Sequence, residues 1–258
     1  MTFHWLRRVI AFTIGALSFL SLPASANLQI FTEQFPPYNY REVNQPPEGI
    51  AVDLLLTAAE NVGRDIKRED ILVRPWPRAY RAVRIEPNTI LFSMGRTAKR
   101  ENMFKWVGPI GETRVVLLAR KDSKISINSG EELKNYTIGV ILDDVGEQLI
   151  IEEGANIARL ERATTAVSLA RMLDLGRIDL WAYEESVARW SISKAHLNNE
   201  LFEVVYVLNE LPMYYAFNPE TDPVLIADLQ RGVDMAKEVN KSTGMSQLDE
   251  IRVRYGVE

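Results

Sequence analysis

The strongest constraint on the fold is an alternation of short apolar runs with helically spaced apolar positions that begins again midway along the chain. Apolar runs bounded by Gly, Pro, Asn or Asp predict strands over residues 28–32, 71–73, 89–94 and 113–119. Between the first two, Ile50, Leu54, Ala58 and Val62 recur at helical spacing, with Asp53 in the first turn and Gly63 as the stop. Pro75-Trp76-Pro77 ends the second strand, and a helix with Ala79, Tyr80 and Val83 inward follows. The polar stretch 121–130 separates this series from a second one. There the pattern predicts strands over 136–142, 158–160, 178–182, 201–208 and 214–217, helices over 145–153, 164–175 and 184–192, and closing helices over 224–239 and 245–255. Such alternation gives an α/β protein with mostly parallel sheets, and the restart at Tyr136 favours two lobes. Ligands of open parallel sheets bind beyond the carboxyl ends of the strands. Glu33, Phe35, Trp76, residues 93–100, Asp143-Asp144 and Tyr183-Glu184 occupy such ends, so two facing lobes would enclose a cleft.

Residues 88–110 break a local rule. Gly95 ends a strand, and Thr97 suits the N-cap of a short helix to about residue 104. Arg96, Lys99 and Arg100 then crowd a helix start, where unpaired N–H groups already carry partial positive charge. A bound anion would remove the conflict. The N–H groups, the hydroxyls of Ser93 and Thr97 and a bidentate guanidinium would together hold a carboxylate. The plain alternative is a solvated basic turn paired with Glu101 or another surface acid.

Residues 1–26 read as a secretory signal, with basic Arg7-Arg8, an apolar run over 9–22 and the small residues Ala24-Ser25-Ala26. The run is short and wrongly flanked for a membrane-spanning helix. The 232 residues that remain suit one large domain or two lobes. Removing Arg7 and Arg8 with no acid takes the net charge from −5 to −7, which argues against nucleic acid or an anionic membrane as partner. Without cysteine there is no disulfide, thiolate nucleophile or cysteine-ligated metal. His196 is the one histidine after residue 26, so a Ser-His-Asp triad or a histidine metal site lacks material. No phosphate-cradling glycine loop or dinucleotide fingerprint occurs, and no cofactor is expected.

Several short motifs occur in one order. They are Phe35-Pro36-Pro37-Tyr38, Gly49-Ile50-Ala51-Val52-Asp53-Leu54, Ser93-Met94-Gly95-Arg96-Thr97-Ala98-Lys99-Arg100, Gly108-Pro109, Ile138-Gly139-Val140 and Gly176-Arg177-Ile178-Asp179. Together they resemble the bacterial extracellular solute-binding proteins of family 3, the polar-amino-acid class, over nearly the whole chain after residue 26. The resemblance implies a two-lobed periplasmic-binding-protein fold of type II, the Venus-flytrap form, whose two α/β lobes are joined by two hinge strands. Mapped here, lobe one is 27–118 plus 210–258 and lobe two is 119–209. The resemblance also implies Arg100 as the grip on a ligand α-carboxylate, with Ser93 and Thr97 as supporting hydroxyls. Glu184 would hold the α-ammonium, and Phe35, with Tyr38 behind it, would cover the ligand. Trp76 is a further cleft aromatic, and Arg96 is either a second anion contact or an outward salt bridge. Asp143-Asp144-Val145 stands where the family often has Gly-Thr-Thr. Two acids beside a ligand carboxylate would repel it, so they point away or cap a helix, or the ligand carries a positive group.

The expectation is therefore a monomeric periplasmic binding protein rather than an enzyme. It would capture a small polar solute, an amino acid or related carboxylate, for the membrane permease of an ABC-type importer. Lobe one would bind first, and the hinge would then bring Glu184 across. Two alternatives stand beside this. One is a dehydratase-like enzyme for cyclic, prephenate-like acids on the same fold, with Arg96 and Arg100 clamping carboxylates and Glu184 as a protonated acid. The other is a stand-alone sensor feeding a membrane receptor.

Overall fold

A computed structural model describes residues 28–257, so the expected signal segment lies outside the described residues. Strands β1 (Gln29–Thr32), β2 (Ile71–Val73) and β3 (Thr89–Gly95) alternate with helices α1 (Ile50–Asn61) and α2 (Trp76–Ile85). They pair in parallel in the order β2-β1-β3. The second half repeats this unit. Strands β5 (Ile138–Ile141), β6 (Leu160–Ala163) and β7 (Leu180–Glu184) alternate with α3 (Val145–Glu152) and α4 (Ala166–Asp174), in parallel and in the order β6-β5-β7. Helix α5 (Glu185–Lys194) follows β7, while α6 (Pro223–Lys237) and α7 (Gln247–Arg254) return to pack on α1.

Two antiparallel strands of 16 residues, β4 (Lys105–Arg120) and β8 (Phe202–Phe217), join the halves into one sheet, ordered β2-β1-β3-β8-β4-β7-β5-β6. β8 pairs with β3 up to Met213↔Gly95, and β4 pairs with β7 from Val115↔Glu184. The passage from one half to the other falls at residues 111–115 of β4 and 209–213 of β8. These are the two hinge strands. The sequence pattern had started β4 at 113 and broken β8 between 208 and 214. Between those two pieces the backbone of Asn209 and Glu210 stays in the ladder opposite Val115 and Arg114, and Arg114 Nε meets Glu210 Oε1 at 3.1 Å.

A second expectation fails at residues 97–104. No α-helix forms there; a single 3-10 turn, Glu101–Met103, leads straight into β4. Phe104 is buried and extended (φ −138°, ψ 164°), which ends helical geometry within one turn. Residues 97–104 therefore offer no helix start whose partial positive charge an anion would offset. The short strand expected over 158–160 is displaced to β6 by a 3-10 turn at Ile157–Arg159, which Asn156 caps through Ala158 N.

The apolar face of α1, with Ile50, Val52, Leu54, Leu55 and Ala58 buried, packs on Ile90, Phe92, Tyr215 and Val233. Its start demands Gly49, which has φ 125° and would drive any Cβ into the carbonyl oxygen of Tyr38. Asp53 is a buried acid of structural use, bonded to Arg68 Nη2 at 2.6 Å, Arg254 Nη1 at 2.8 Å and Tyr255 Oη at 3.0 Å. A second apolar cluster runs across the cleft, from Phe31, Phe35, Trp76 and Tyr80 to Ile141, Trp181, Tyr183 and Val187. The two halves are closed on each other.

Candidate functional site

The carboxyl ends of the parallel strands face one another, and polar contacts bridge them. Thr97 donates to Gln148 Oε1 of α3 at 3.1 Å, and Arg100 Nη2 donates to the carbonyl oxygen of Asp143 at 2.9 Å. Phe35 meets Tyr183 edge-on, with ring centroids 6.4 Å apart.

Arg100 and Trp76 are the most enclosed of the expected site residues, each at 2 % exposure; Arg100 is the charged one. The Arg100 guanidinium lies over the rings of Trp76 and Tyr80, 5.6 and 5.1 Å from their centroids. Its Nη1 also donates to Gly95 O at 3.4 Å. The facing loop is built to receive it. Asp143 adopts a left-handed conformation (φ 62°), which Asp tolerates better than most residues, and its N–H is held by Glu147 Oε2 at 2.7 Å. Glu147 is itself fixed by Arg162 at 2.6 Å. Asp144, buried at the start of α3, lines the same cavity of about 330 Å³ as Arg100, Asp143, Gln148 and Tyr80. Burial pushes the Asp144 carboxyl up, while Arg100 and the N–H groups of Val145 and Gly146 pull it back down.

The remaining expected residues are placed unevenly. Ser93, in a left-handed conformation (φ 50°) at a bulge of β3, donates to Asn39 Oδ1 in a short hydrogen bond. Glu184 is buried and caps α5, accepting from Val187 N at 2.7 Å; burial raises its carboxyl despite that bond. Tyr38 turns its hydroxyl to Glu112 O at the hinge, 3.2 Å away. Arg96 makes a bidentate pair with Glu101, at 2.7 and 2.6 Å, and lies over Trp106 and Tyr214. That is the outward salt bridge, and it takes the fork that an anion would need. The structure thus gathers Arg100, Thr97, Phe35 and Trp76 at the cleft and leaves Arg96 outside it.

A second cavity, of about 370 Å³, opens between the halves. Glu33, Gln34, Arg74 and Trp76 line it from one side, and Thr165, Tyr183, Trp190 and Ser191 from the other. Glu33, at the end of β1, forms no ion pair among the described residues. Burial, and then the negative charge of Asp144, holds its carboxyl well above the usual range. Burial likewise raises the Tyr183 hydroxyl, helped by Glu33, Asp144 and Glu184. Trp76 Nε1 and Ser191 Oγ are buried without a hydrogen-bond partner. Sequence reasoning placed Glu33 and Tyr183 at strand ends but gave them no role. It missed Thr165, Trp190 and Ser191, which carry no motif and reach the cavity only through the packing of α4 and α5.

Two α/β lobes joined by two hinge strands and closed over a cavity of about 370 Å³ define a bilobed ligand-binding protein with the type II periplasmic-binding-protein fold. Over residues 28–248 the sequence matches the bacterial extracellular solute-binding proteins, family 3, and the chain belongs to that family. Among curated proteins none matches it. Solved structures share the fold at low identity. A histidine kinase sensor domain with similarity to periplasmic binding proteins superposes with a TM-score of 0.74 at 20 % identity, covering 89 % of this chain and 96 % of that one. An ancestral arginine-binding protein bound to arginine gives 0.70 at 19 %, covering 89 % and 97 %. The substrate-binding protein of an amino acid ABC transporter gives 0.69 at 17 %, covering 89 % and 99 %.

Proposed function

We propose that this protein captures a small polar solute carrying positive charge in the cleft between its lobes, and delivers it to the membrane permease of an ABC-type importer in the periplasm. The observation that carries the reading is Glu33. Its half-buried carboxylate lines the cavity between the lobes with no cationic partner among the described residues, so a ligand that brings a cation completes the site. A cationic ligand supplies the missing charge, and the aromatic walls of Trp76, Tyr183 and Trp190 exclude water around it. The lobes would hinge at 111–115 and 209–213, so ligand binding becomes a two-state motion that a partner can read. An arginine-binding protein among the structural neighbours agrees with a cationic ligand.

Thermal unfolding against cationic, neutral and acidic amino acids and amines tests this. A ligand at a hundred times its dissociation constant stabilises by about 2.7 kcal/mol. Stabilisation by cations and none by glutamate or aspartate is expected; the reverse order would refute the reading. A sensor role is the second reading, favoured by the histidine kinase sensor domain among the neighbours. Uptake of the bound solute by cells carrying the protein, lost on its deletion, separates transport from sensing.

A further inference from the structure

In a cleft built to hold a free amino acid, one cation must be left over for the ligand carboxylate. Here Arg100 is already engaged by the opposite lobe. Its guanidinium donates to Asp143 O and Gly95 O, is covered by Trp76 and Tyr80, and shares its cavity with the Asp144 carboxylate. Asp143 is locked in place through Glu147 and Arg162. Neither Arg100 nor Asp144 lines the 370 Å³ cavity; its one carboxylate is the half-buried Glu33, and the single cation on its wall, Arg74, is exposed. Within that cavity two buried polar groups, Trp76 Nε1 (residue 2 % exposed) and Ser191 Oγ (0 %), stand without partners.

We propose that the Asp143-Asp144 segment fills the place of a ligand carboxylate on Arg100, and that the solute is an amine or guanidine lacking an α-carboxylate, held in the neighbouring cavity by Glu33. This rests on the cationic reading of the cleft and narrows it. A second carboxylate brought to Arg100 would meet Asp144 and Glu147 at close quarters, and displacing the loop would break bonds already made. A linear amine meets no such obstacle. Its ammonium or guanidinium reaches Glu33, Ser191 Oγ and Thr165 supply neutral acceptors, and its methylenes lie along Trp76, Tyr183 and Trp190.

Calorimetric titration with pairs that differ only in the carboxylate tests the proposal: agmatine against arginine, cadaverine against lysine, putrescine against ornithine. The amine of at least one pair should bind at least about tenfold more tightly than its amino acid. In Asp144→Ser, which keeps an N-cap oxygen and removes the charge, that preference should fall or invert as Arg100 becomes available. Asp144→Asn, checked for folding by its unfolding transition, serves as the second variant. If in every pair the amino acid binds as tightly as its amine, the inference is overturned and the cationic reading stands. If that affinity for the amino acid is lost in Arg74→Ala, the carboxylate is held at the rim. Binding of neutral or acidic amino acids alone, or of no member of any pair, overturns the inference and the cationic reading together.

Discussion

Arg100 Nη2 lies 2.9 Å from the carbonyl oxygen of Asp143, and through that bond a residue on the lobe-one side of the cleft grips the loop that begins α3. The closed arrangement is therefore held by the chain's own groups. Thr97 and Gln148 add a second bridge, and Lys194 with Glu42 an exposed third.

Arg100→Ala removes a buried charge-assisted hydrogen bond and the packing over Trp76 and Tyr80. The expected cost is about 2–3 kcal/mol, or a fall in Tm of roughly 5–10 °C for a chain of this size. The free protein should also open, with an increased radius of gyration in solution scattering. An unchanged radius would mean that Arg100 does not hold the lobes together.

Glu33→Gln keeps the shape of the side chain and deletes its charge. Because burial raises the Glu33 carboxyl, its folded form binds a proton that the unfolded chain has already lost above a pH of about 4. Its contribution to stability is thus fully present below that pH and is lost as pH rises through the raised value. Asp144 has the same sign, while Asp228 and Asp249, held low by their partners, have the opposite one. The readout is therefore the difference between variant and parent. Glu33→Gln should melt at the same temperature as the parent near pH 4 and higher at pH 7 and above. A variant less stable than the parent at pH 7 would contradict an unpaired carboxylate.

Much of the fold was legible in the sequence, and the unread parts share a cause. Strands with both faces buried, such as β3 and β5, stand out as apolar runs, and α1 and α4 show helical spacing with their stops. The hinge strands were legible only in pieces. Where they cross between lobes they bury little, so the pattern starts β4 only at 113 and breaks β8 between 208 and 214, although each strand is held by its partner's backbone. At the site, Arg100 stood out by charge in a turn, but its partner could not, because Asp143 offers a backbone oxygen. Arg96 gave the same charge signal and proved to be a surface pair. Composition does not tell two arginines four residues apart from each other; burial does.

Arg96→Ala tests that distinction. Its partner Glu101 is on the surface, so deleting the pair should leave ligand affinity within about twofold of the parent by calorimetry. A loss of tenfold or more would return Arg96 to the binding site.

Asp53→Ala offers a stability control far from the cleft. It strands Arg68, Arg254 and Tyr255 around a buried position, and about 2–4 kcal/mol of unfolding free energy should be lost in urea titration. Affinity for the solute should not change at temperatures where the variant remains folded.

The central claim, a cation held at Glu33 between the lobes, is tested most directly by calorimetric titration of the parent and Glu33→Gln with the cationic amines and amino acids that stabilise the parent. The account predicts saturable binding to the parent and a loss of at least about a hundredfold in the variant, because the one carboxylate lining the cavity is gone. Equal affinity in the two proteins would contradict it and place the ligand elsewhere.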